Sequence, residues 1–517
     1  MSRVLWSSSQ TIKYVVAPRS RPRLLKRGFV TTPSLFLTTT ELWRLNEFNL
    51  KIDPDRLWDT VHSTARWTAP RAATSGNNNG DDVRTAGLAR LTLSAEDKQA
   101  RDWFVDTTRS LGCRVHVDQI GNIFAIRPGL RDNTINNENA GMAAAATFAG
   151  SHLDSQPSGG RFDGVLGVAA GVEMLRTLND NQIETEGPVG VINWTNEEGA
   201  KFPISMMGSG VWSGQISLDD AWKVKSVITT TSTVKEDLER IGYLGDVPAH
   251  FDAGIRVGAH FELHIEQGPR LEKSRQKIGI VQGVQAYKWF TIVVKGREAH
   301  AGTTDMSSRV DAMQASAQLM LKVHQIAKHG CSDGKGLVTF GRLKVSPGSV
   351  NTIAGLVEMS LDMRHPTDEG LAEMEENLYR VCKTMMNATG RNKDGGPEVT
   401  LQQDFASNAI KFDERAIECV EQSALSVLGD MEEHGGLRDG GGSHQKVQKM
   451  MSGAGHDSVR TNLHCPTAMI FVPSKDGISH NPVEWTDKED CAIGANVLLQ
   501  SVLRMDKMRY ERGDFYE

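Results

Sequence analysis

The stretch Gly150-Ser-His-Leu-Asp-Ser-Gln-Pro-Ser-Gly-Gly-Arg-Phe-Asp-Gly164 lies between two apolar runs. The run before it, residues 142–149, reads as a buried strand. The run after it, residues 165–178, has the length and the Ala, Leu and Met content of a buried helix. The polar segment therefore sits where a parallel strand ends and a helix begins, which is where open α/β sheets bind ligands. It carries an imidazole, His152, and two carboxylates, Asp154 and Asp163. Those donors suit zinc, cobalt or manganese, and Gly159, Gly160 and Gly164 let the backbone turn tightly around them.

Outward from this stretch the same rhythm repeats. Val189–Trp194 is an apolar strand ending in Thr195-Asn-Glu-Glu-Gly199. Residues 261–266 form a strand ending in Gln267-Gly268, and residues 468–472 one ending in Ser474-Lys-Asp-Gly-Ile-Ser-His480. Helices are expected over 53–67, capped by Asp53 with Pro54 at the first position, and from Ser94, over 417–428 and over 488–505. Strands alternating with helices, each strand closing on polar residues, are the pattern of a doubly wound α/β domain. From about Val281 the order changes. Strands at 289–295, 337–345, 356–364 and 398–403 and helices at 311–329 and 370–386 make a βαββαβ, ferredoxin-like unit. The expected organisation is a leader over 1–40, an α/β domain in two parts over 41–280 and 405–517, and a smaller inserted domain over 281–404.

A chain of 517 residues is too long for one ordinary core. With 24% charged and 39% hydrophobic residues it has the composition of a soluble globular protein, and no run of about 18 apolar residues suggests a membrane span. The net charge of -6 and the lack of a basic stripe argue against a nucleic-acid partner. The six cysteines are scattered, without a Cys-x-x-Cys pair, which points to free thiols rather than a disulfide framework or a cysteine zinc site. Residues 1–40 hold seven Arg and Lys, many Ser and Thr and no acidic residue, the composition of a mitochondrial transit peptide. A plain basic tail on a cytoplasmic protein is the alternative.

His152, Asp163, Glu198, His264 and His480 all fall at or just after expected strand ends. One catalytic zinc needs about three protein ligands. Five donors, three of them His, suit two ions about 3.5–4 Å apart with one carboxylate bridging, and Asp163 among its glycines is placed to bridge. Asp154, two residues from His152, faces the same way on an extended chain and can accept the second ring N–H. Glu197 and Glu198 are adjacent and cannot point alike. Glu198 is assigned to metal and Glu197 to the general base. Singly, each residue has an ordinary structural reading; their joint placement favours a metal centre.

Nine motifs recur in one order: Gly150-Ser-His-Leu-Asp-Ser-Gln156, Gly159-Gly-Arg-Phe-Asp-Gly164, Asn196-Glu-Glu-Gly199, His264-Ile-Glu-Gln-Gly268, Ala299-His-Ala-Gly-Thr-Thr304, Asn351-Thr-Ile, Asp362-Met-Arg364, Gly453-Ala-Gly-His-Asp457 and Ser479-His-Asn-Pro-Val-Glu484. Over residues 45–510 the chain resembles the carbamoylase branch of the M20-type metal-dependent amidohydrolases, which comprises N-carbamoyl amino acid hydrolases, fungal-type β-ureidopropionase and allantoate amidohydrolase. The resemblance implies two divalent ions per subunit, zinc first, with manganese, cobalt or nickel as alternatives. One ion would be held by His152, Asp163 and His264, the other by Asp163, Glu198 and His480, with Glu197 as base. It further implies substrate contacts from Gln267, His300, Asn351, Arg364 and His456, and a smaller domain that serves as lid and dimerises the protein. The implied reaction cleaves the ureido C–N bond of a small N-carbamoyl amino acid, N-carbamoyl-β-alanine before allantoate or N-carbamoyl-L-α-amino acids. An M20-type amino- or dipeptidase and a non-catalytic metal-binding dimer are the competing readings. Asp305 stands where the family often has Pro.

Overall fold

The structure, a computed structural model, describes residues 50–69, 87–132, 144–228, 231–329, 331, 333–388, 396–433 and 443–514, with the backbone of Leu37–Thr38. The basic leader and the polar stretches 75–82, 133–139 and 435–442 lie outside these residues.

The central sheet is built from runs that are apolar on both faces. Ala146–His152, Val189–Trp194 and Thr467–Val472 are buried along their whole length, as strands covered on both sides must be. Successive residues of one strand enter different cores. Val189 and Val191 pack with residues of the helix Val165–Asp180, whereas Ile192 and Trp194 join Phe124, Phe148 and Trp212. The strand order is Ile410–Lys411, Ile278–Val284, Thr467–Val472, Val257–Ile265, Ala146–His152, Val189–Trp194, Ile123–Arg127, Arg114–Val117, with Val447–Ser452 paired to Ile278–Val284. The four strands from Thr467–Val472 to Val189–Trp194 are mutually parallel, so their carboxyl ends share one edge. Three strands of this sheet escaped the sequence reading, the two-residue Ile410–Lys411 among them. Ile278–Val284 sits at the junction where the rhythm changes, and Val447–Ser452 carries Gln448 and Lys449, which hide its strand character.

Helices begin where capping chemistry places them. The Asp53 carboxylate accepts the amides of Asp55 and Arg56 ahead of Pro54–Thr64, and Ser94 caps Ala95–Ser110. The first of these ends at Thr64, three residues short of the expected Trp67. The 25-residue helix Lys488–Arg512 closes the fold. Among the described residues no helix is long and apolar enough to cross a membrane, and all six cysteines are free and buried.

Between Ile278–Val284 and Ile410–Lys411 the chain builds a second sheet. Its order is Leu337–Ser346, Leu356–His365, Ala286–Lys295, Glu398–Ser407, with every neighbour antiparallel. With the helices Ala312–His329 and Asp368–Ala388 the chain order is βαββαβ. Phe290, Ile292, Val294, Val357, Met359, Leu361 and Met363 alternate along the two inner strands and pack on Leu319, Val323, Met374 and Leu378 of the helices, a core of its own. The other face carries Trp289, Asp362 and Arg364, and the described residues from Leu37 onward belong to one compact unit.

Candidate metal centre

The parallel strands deliver the expected donors to one edge. His152 ends Ala146–His152, and His264 is next to last in Val257–Ile265. Glu197 and Glu198 follow Val189–Trp194 in a turn entered through Asn196, at φ 57°, a conformation that Asn tolerates. The Asn196 amide group secures the turn by donating to the carbonyls of Phe202 (3.0 Å) and Ile204 (2.8 Å). His480 follows Thr467–Val472. Asp163 arrives on the glycine loop. Gly164 has φ 66°, and a Cβ there would stand 2.4 Å from the His152 ring, so glycine alone lets the loop press against the imidazole.

Asp163 is the centre of the arrangement. Its Oδ1 lies 3.1 Å from His264 Nε2 and 3.6 Å from His152 Nε2. Its Oδ2 lies 3.4 Å from His480 Nε2, which in turn is 3.3 Å from Glu198 Oε2. Each oxygen thus faces one donor group, His152-Asp163-His264 and Asp163-Glu198-His480. His264 Nδ1 donates to the Ile265 carbonyl and His152 Nδ1 to the Asp154 carbonyl, both at 2.9 Å, which turns both Nε2 lone pairs toward Asp163. Among the described residues His152 Nε2 is buried without a hydrogen-bond partner, with oxygens of Asp163 and Glu197 each 3.6 Å away. A lone pair and two carboxylates converging on a common point are what a divalent cation satisfies, and the donor set fits two ions sharing Asp163.

One expectation is corrected. The Asp154 carboxylate does not take the His152 N–H; it stands 3.8 Å from Nδ1. The strand ends at His152 and the chain turns, which brings the Asp154 carbonyl closer. The carboxylate instead accepts the amides of Glu197 and Glu198, each at 3.3 Å, and so holds the turn that presents both glutamates.

Burial dominates the electrostatics. It pushes Glu197 well above its ordinary range, and Glu198 up to about 7 with Asp163 adding to the effect. Burial also opposes ionisation of Asp163, but His264, His152 and His480 outweigh it and hold that carboxyl well below the usual range. Burial disfavours the His152 cation, and the Glu197 and Asp163 carboxylates override it and raise His152 well above 6.5. Three carboxylates in one buried cluster require compensating positive charge, from protons or from divalent cations.

A cleft of about 210 Å³ opens onto Asp163, Glu197, Glu198 and His480, and Tyr287, Trp289 and Arg364 of the second sheet form its far wall. Gln267 and His456 line it as well. Gln267 Nε2 donates to Asp163 Oδ2 at 2.7 Å. His456 is buried, its ring centroid 4.5 Å from that of His264, and burial together with that neighbour pushes it down to about 3. Arg364 holds the Asp362 carboxylate through Nε (2.9 Å) and Nη2 (2.7 Å), donates Nη1 to the Gly453 carbonyl (2.6 Å), and lies 5.2 Å from the Tyr287 ring centroid. His300 and Asn351 do not reach this cleft within one chain. They stand together, exposed, at the paired strands Ala299–His300 and Thr352–Ile353.

Sequence reasoning left several contributors without a role. Gln156 Nε2 donates to Glu198 Oε2 at 2.7 Å. The Ser479 hydroxyl lies 2.8 Å from Asp163 Oδ2 and 3.0 Å from Glu484 Oε2, while Glu484 Oε1 accepts the amides of Phe162 (3.0 Å) and Asp163 (3.1 Å). These three sit inside the quoted motifs, so a signal existed beside the metal donors. Tyr287 and Trp289 carried none, because aromatic residues on a strand read as packing.

Residues 148–504 match the profile of Peptidase family M20/M25/M40. The chain belongs to this family. The N-carbamoyl-L-amino-acid amidohydrolase of Rhizobium meliloti is 35% identical over 460 residues, 88% of this chain and 97% of its own. The allantoate amidohydrolase of Bacillus subtilis is 27% identical over 424 residues, 81% of this chain and 93% of its own. The crystal structure of a hydantoinase/carbamoylase family amidase from Burkholderia multivorans superposes with a TM-score of 0.72 at 38% identity, covering 88% of this chain and 98% of that one. This M20-family chain is accordingly an amidohydrolase, a hydrolase of C–N bonds, and its two donor groups around Asp163 are candidate metal ligands.

Proposed function

We propose that this M20-family chain hydrolyses N-carbamoyl amino acids at the ureido carbon, consuming one water and releasing the amino acid, carbon dioxide and ammonia. The observation that carries this reading is Asp163 with one oxygen toward each donor group, Glu197 beside it, and Arg364 across the same cleft. A relative named for N-carbamoyl-L-amino acids supports it, and one named for allantoate supplies the second reading. A second hollow of about 510 Å³ shares Gln267, Arg364 and Ala454 with the cleft, and its lining mixes Leu337, Met450, Met451 and Phe471 with the polar Arg270, Gln285 and Thr339. That space suits the side chain of an L-α-amino acid, which N-carbamoyl-β-alanine lacks. N-carbamoyl-β-alanine, the substrate expected from the resemblance, is therefore the competing arm of the test.

Held by His152, Asp163, His264, Glu198 and His480, two divalent ions, zinc before manganese, cobalt or nickel, would polarise the ureido carbonyl and lower the pKa of a water. Glu197 takes the proton of the attacking water at its carboxylate, which burial has made more basic, and passes it to the leaving nitrogen. His456, held neutral, offers an N–H to the developing oxyanion. Arg364 turns its fork from Asp362 to the substrate carboxylate. His300 and Asn351, remote in their own chain, act in this reading on the substrate of a second subunit in a homodimer. The leader directs the chain to mitochondria.

Metal-loaded protein lacking residues 1–40 is assayed for ammonia release from N-carbamoyl-L-α-amino acids, N-carbamoyl-β-alanine and allantoate, and for free amino acids from a dipeptide. Release from the L-α series, abolished by chelation, is the expected result. Cleavage of the dipeptide alone moves the chain to the peptidases. No turnover despite bound metal leaves a non-catalytic dimer.

A further inference from the structure

The second sheet holds a cluster of ligating side chains that plays no part in the site at Asp163. Cys331 follows the helix Ala312–His329 by two residues, Asp333 lies two residues further on, and His365 ends the strand Leu356–His365. The Cys331 sulfur, one Asp333 oxygen and one His365 nitrogen all lie within 4.8 Å of one another. Cys331 and His365 are buried and Asp333 is at the surface, so the cluster has a dry floor and one open side.

We propose that Cys331, Asp333 and His365 form a third metal site, taking one zinc-class divalent cation with a solvent molecule as fourth ligand. The donor chemistry selects the ion: a thiolate, an imidazole and a carboxylate together match zinc, and disfavour magnesium and calcium. Donors on one tetrahedral zinc stand roughly 3.5 Å apart, so small side-chain rotations complete the site.

The surroundings of His365 are prepared for ligation. Its Nε2 meets Asp333 Oδ1 at 2.9 Å, on the side facing the thiol loop. Its Nδ1 meets Thr367 from three atoms, the amide at 3.1 Å, the carbonyl at 3.2 Å and the hydroxyl at 3.3 Å. With Nε2 on the metal, Nδ1–H donates to the Thr367 carbonyl, the outer partner that orients a metal-bound imidazole. The ring is fixed on its other side by Gly370, where a Cβ would come within 2.0 Å of it. Asp333 also pairs with Lys335 Nζ at 3.5 Å, an exposed side chain free to swing away. Binding removes the thiol proton of Cys331, which leaves to solvent. The ion then ties the segment that follows the helix Ala312–His329 to the end of the strand Leu356–His365.

The test uses the full chain, stripped of metal and titrated with cobalt(II). Among the described residues the donors around Asp163 include no sulfur, so a thiolate-to-cobalt charge-transfer band in the near ultraviolet reports the proposed site. The expected result is three bound equivalents with the band present. Cys331→Ser abolishes the band and leaves two equivalents, Asp333→Asn weakens the cobalt binding that the band reports, and Cys382→Ser, altering another buried thiol of the same core, changes neither. Two equivalents without the band in the wild-type chain, or a band that survives Cys331→Ser, overturns the proposal. Neither outcome depends on the identity of the substrate.

Discussion

Glu197 and Glu198 are neighbours with different surroundings, and the difference assigns their work. Glu198 has both oxygens engaged, Oε1 by the Gln156 amide (3.1 Å) and Oε2 by the Gln156 side chain (2.7 Å), and faces His480. Glu197 faces the His152 side of the centre, and burial keeps its proton affinity high. Glu197→Gln keeps shape and removes the base, so kcat falls by about 10²–10⁴ with KM and metal content unchanged. Steady-state kinetics with metal analysis checks this, and wild-type turnover in that variant sinks the assignment of the base. Gly164 is the second critical residue. Alanine there adds about 1–2 kcal/mol of backbone strain and drives a methyl into the His152 ring. Gly164→Ala is expected to lose metal from the His152-Asp163-His264 group and to melt earlier, as read by metal analysis and thermal unfolding.

At the scale of elements, alternation along a strand separates stability from function. Leu361 is 1% exposed and points into the helix-covered core, whereas Ser360 and Asp362 lie on the opposite face with Arg364. Leu361→Ala is expected to cost about 2–5 kcal/mol and Ser360→Ala no more than about 0.5 kcal/mol, compared by urea unfolding. The same alternation explains how an inserted unit furnishes a wall for a site on another sheet. Its buried face makes it fold, and its outer face carries Trp289 and Arg364 to the cleft. Strand ends obey a matching rule. The glycine loop is long enough to cross from His152 to Asp163, and Glu484, more than 300 residues away, fastens it by accepting the amides of Phe162 and Asp163.

At the scale of the whole molecule, buried histidines couple stability to pH. His260 lies wholly in the core beside Trp194 and Ser458, and burial lowers it to about 4. Its folded value lies below its unfolded value of about 6.5, so the unfolded chain binds the extra proton. The contribution of His260 to stability is therefore full above about pH 6.5 and is lost as pH falls toward 4, about 3 kcal/mol in all. Urea midpoints measured from pH 7 to 4.5 should show the wild-type chain losing stability relative to His260→Gln as pH falls. Residue types and their local setting were legible in the amino-acid sequence. Apolar runs closing on polar clusters placed His152 and His264 at strand ends and Asp163, Glu198 and His480 in the segments that follow such ends, and the change of rhythm after Val281 marked the βαββαβ order. These readings held because they depend on periodicity over a few residues. Long-range pairing fixed which strands are parallel neighbours, and hence that those ends share an edge. It also decided that the Asp154 carbonyl rather than its carboxylate orients His152, that Tyr287 and Trp289 face the cleft, and that His300 and Asn351 do not. The reason is physical: each of these is set by pairing between segments far apart in the chain, and no local pattern encodes it.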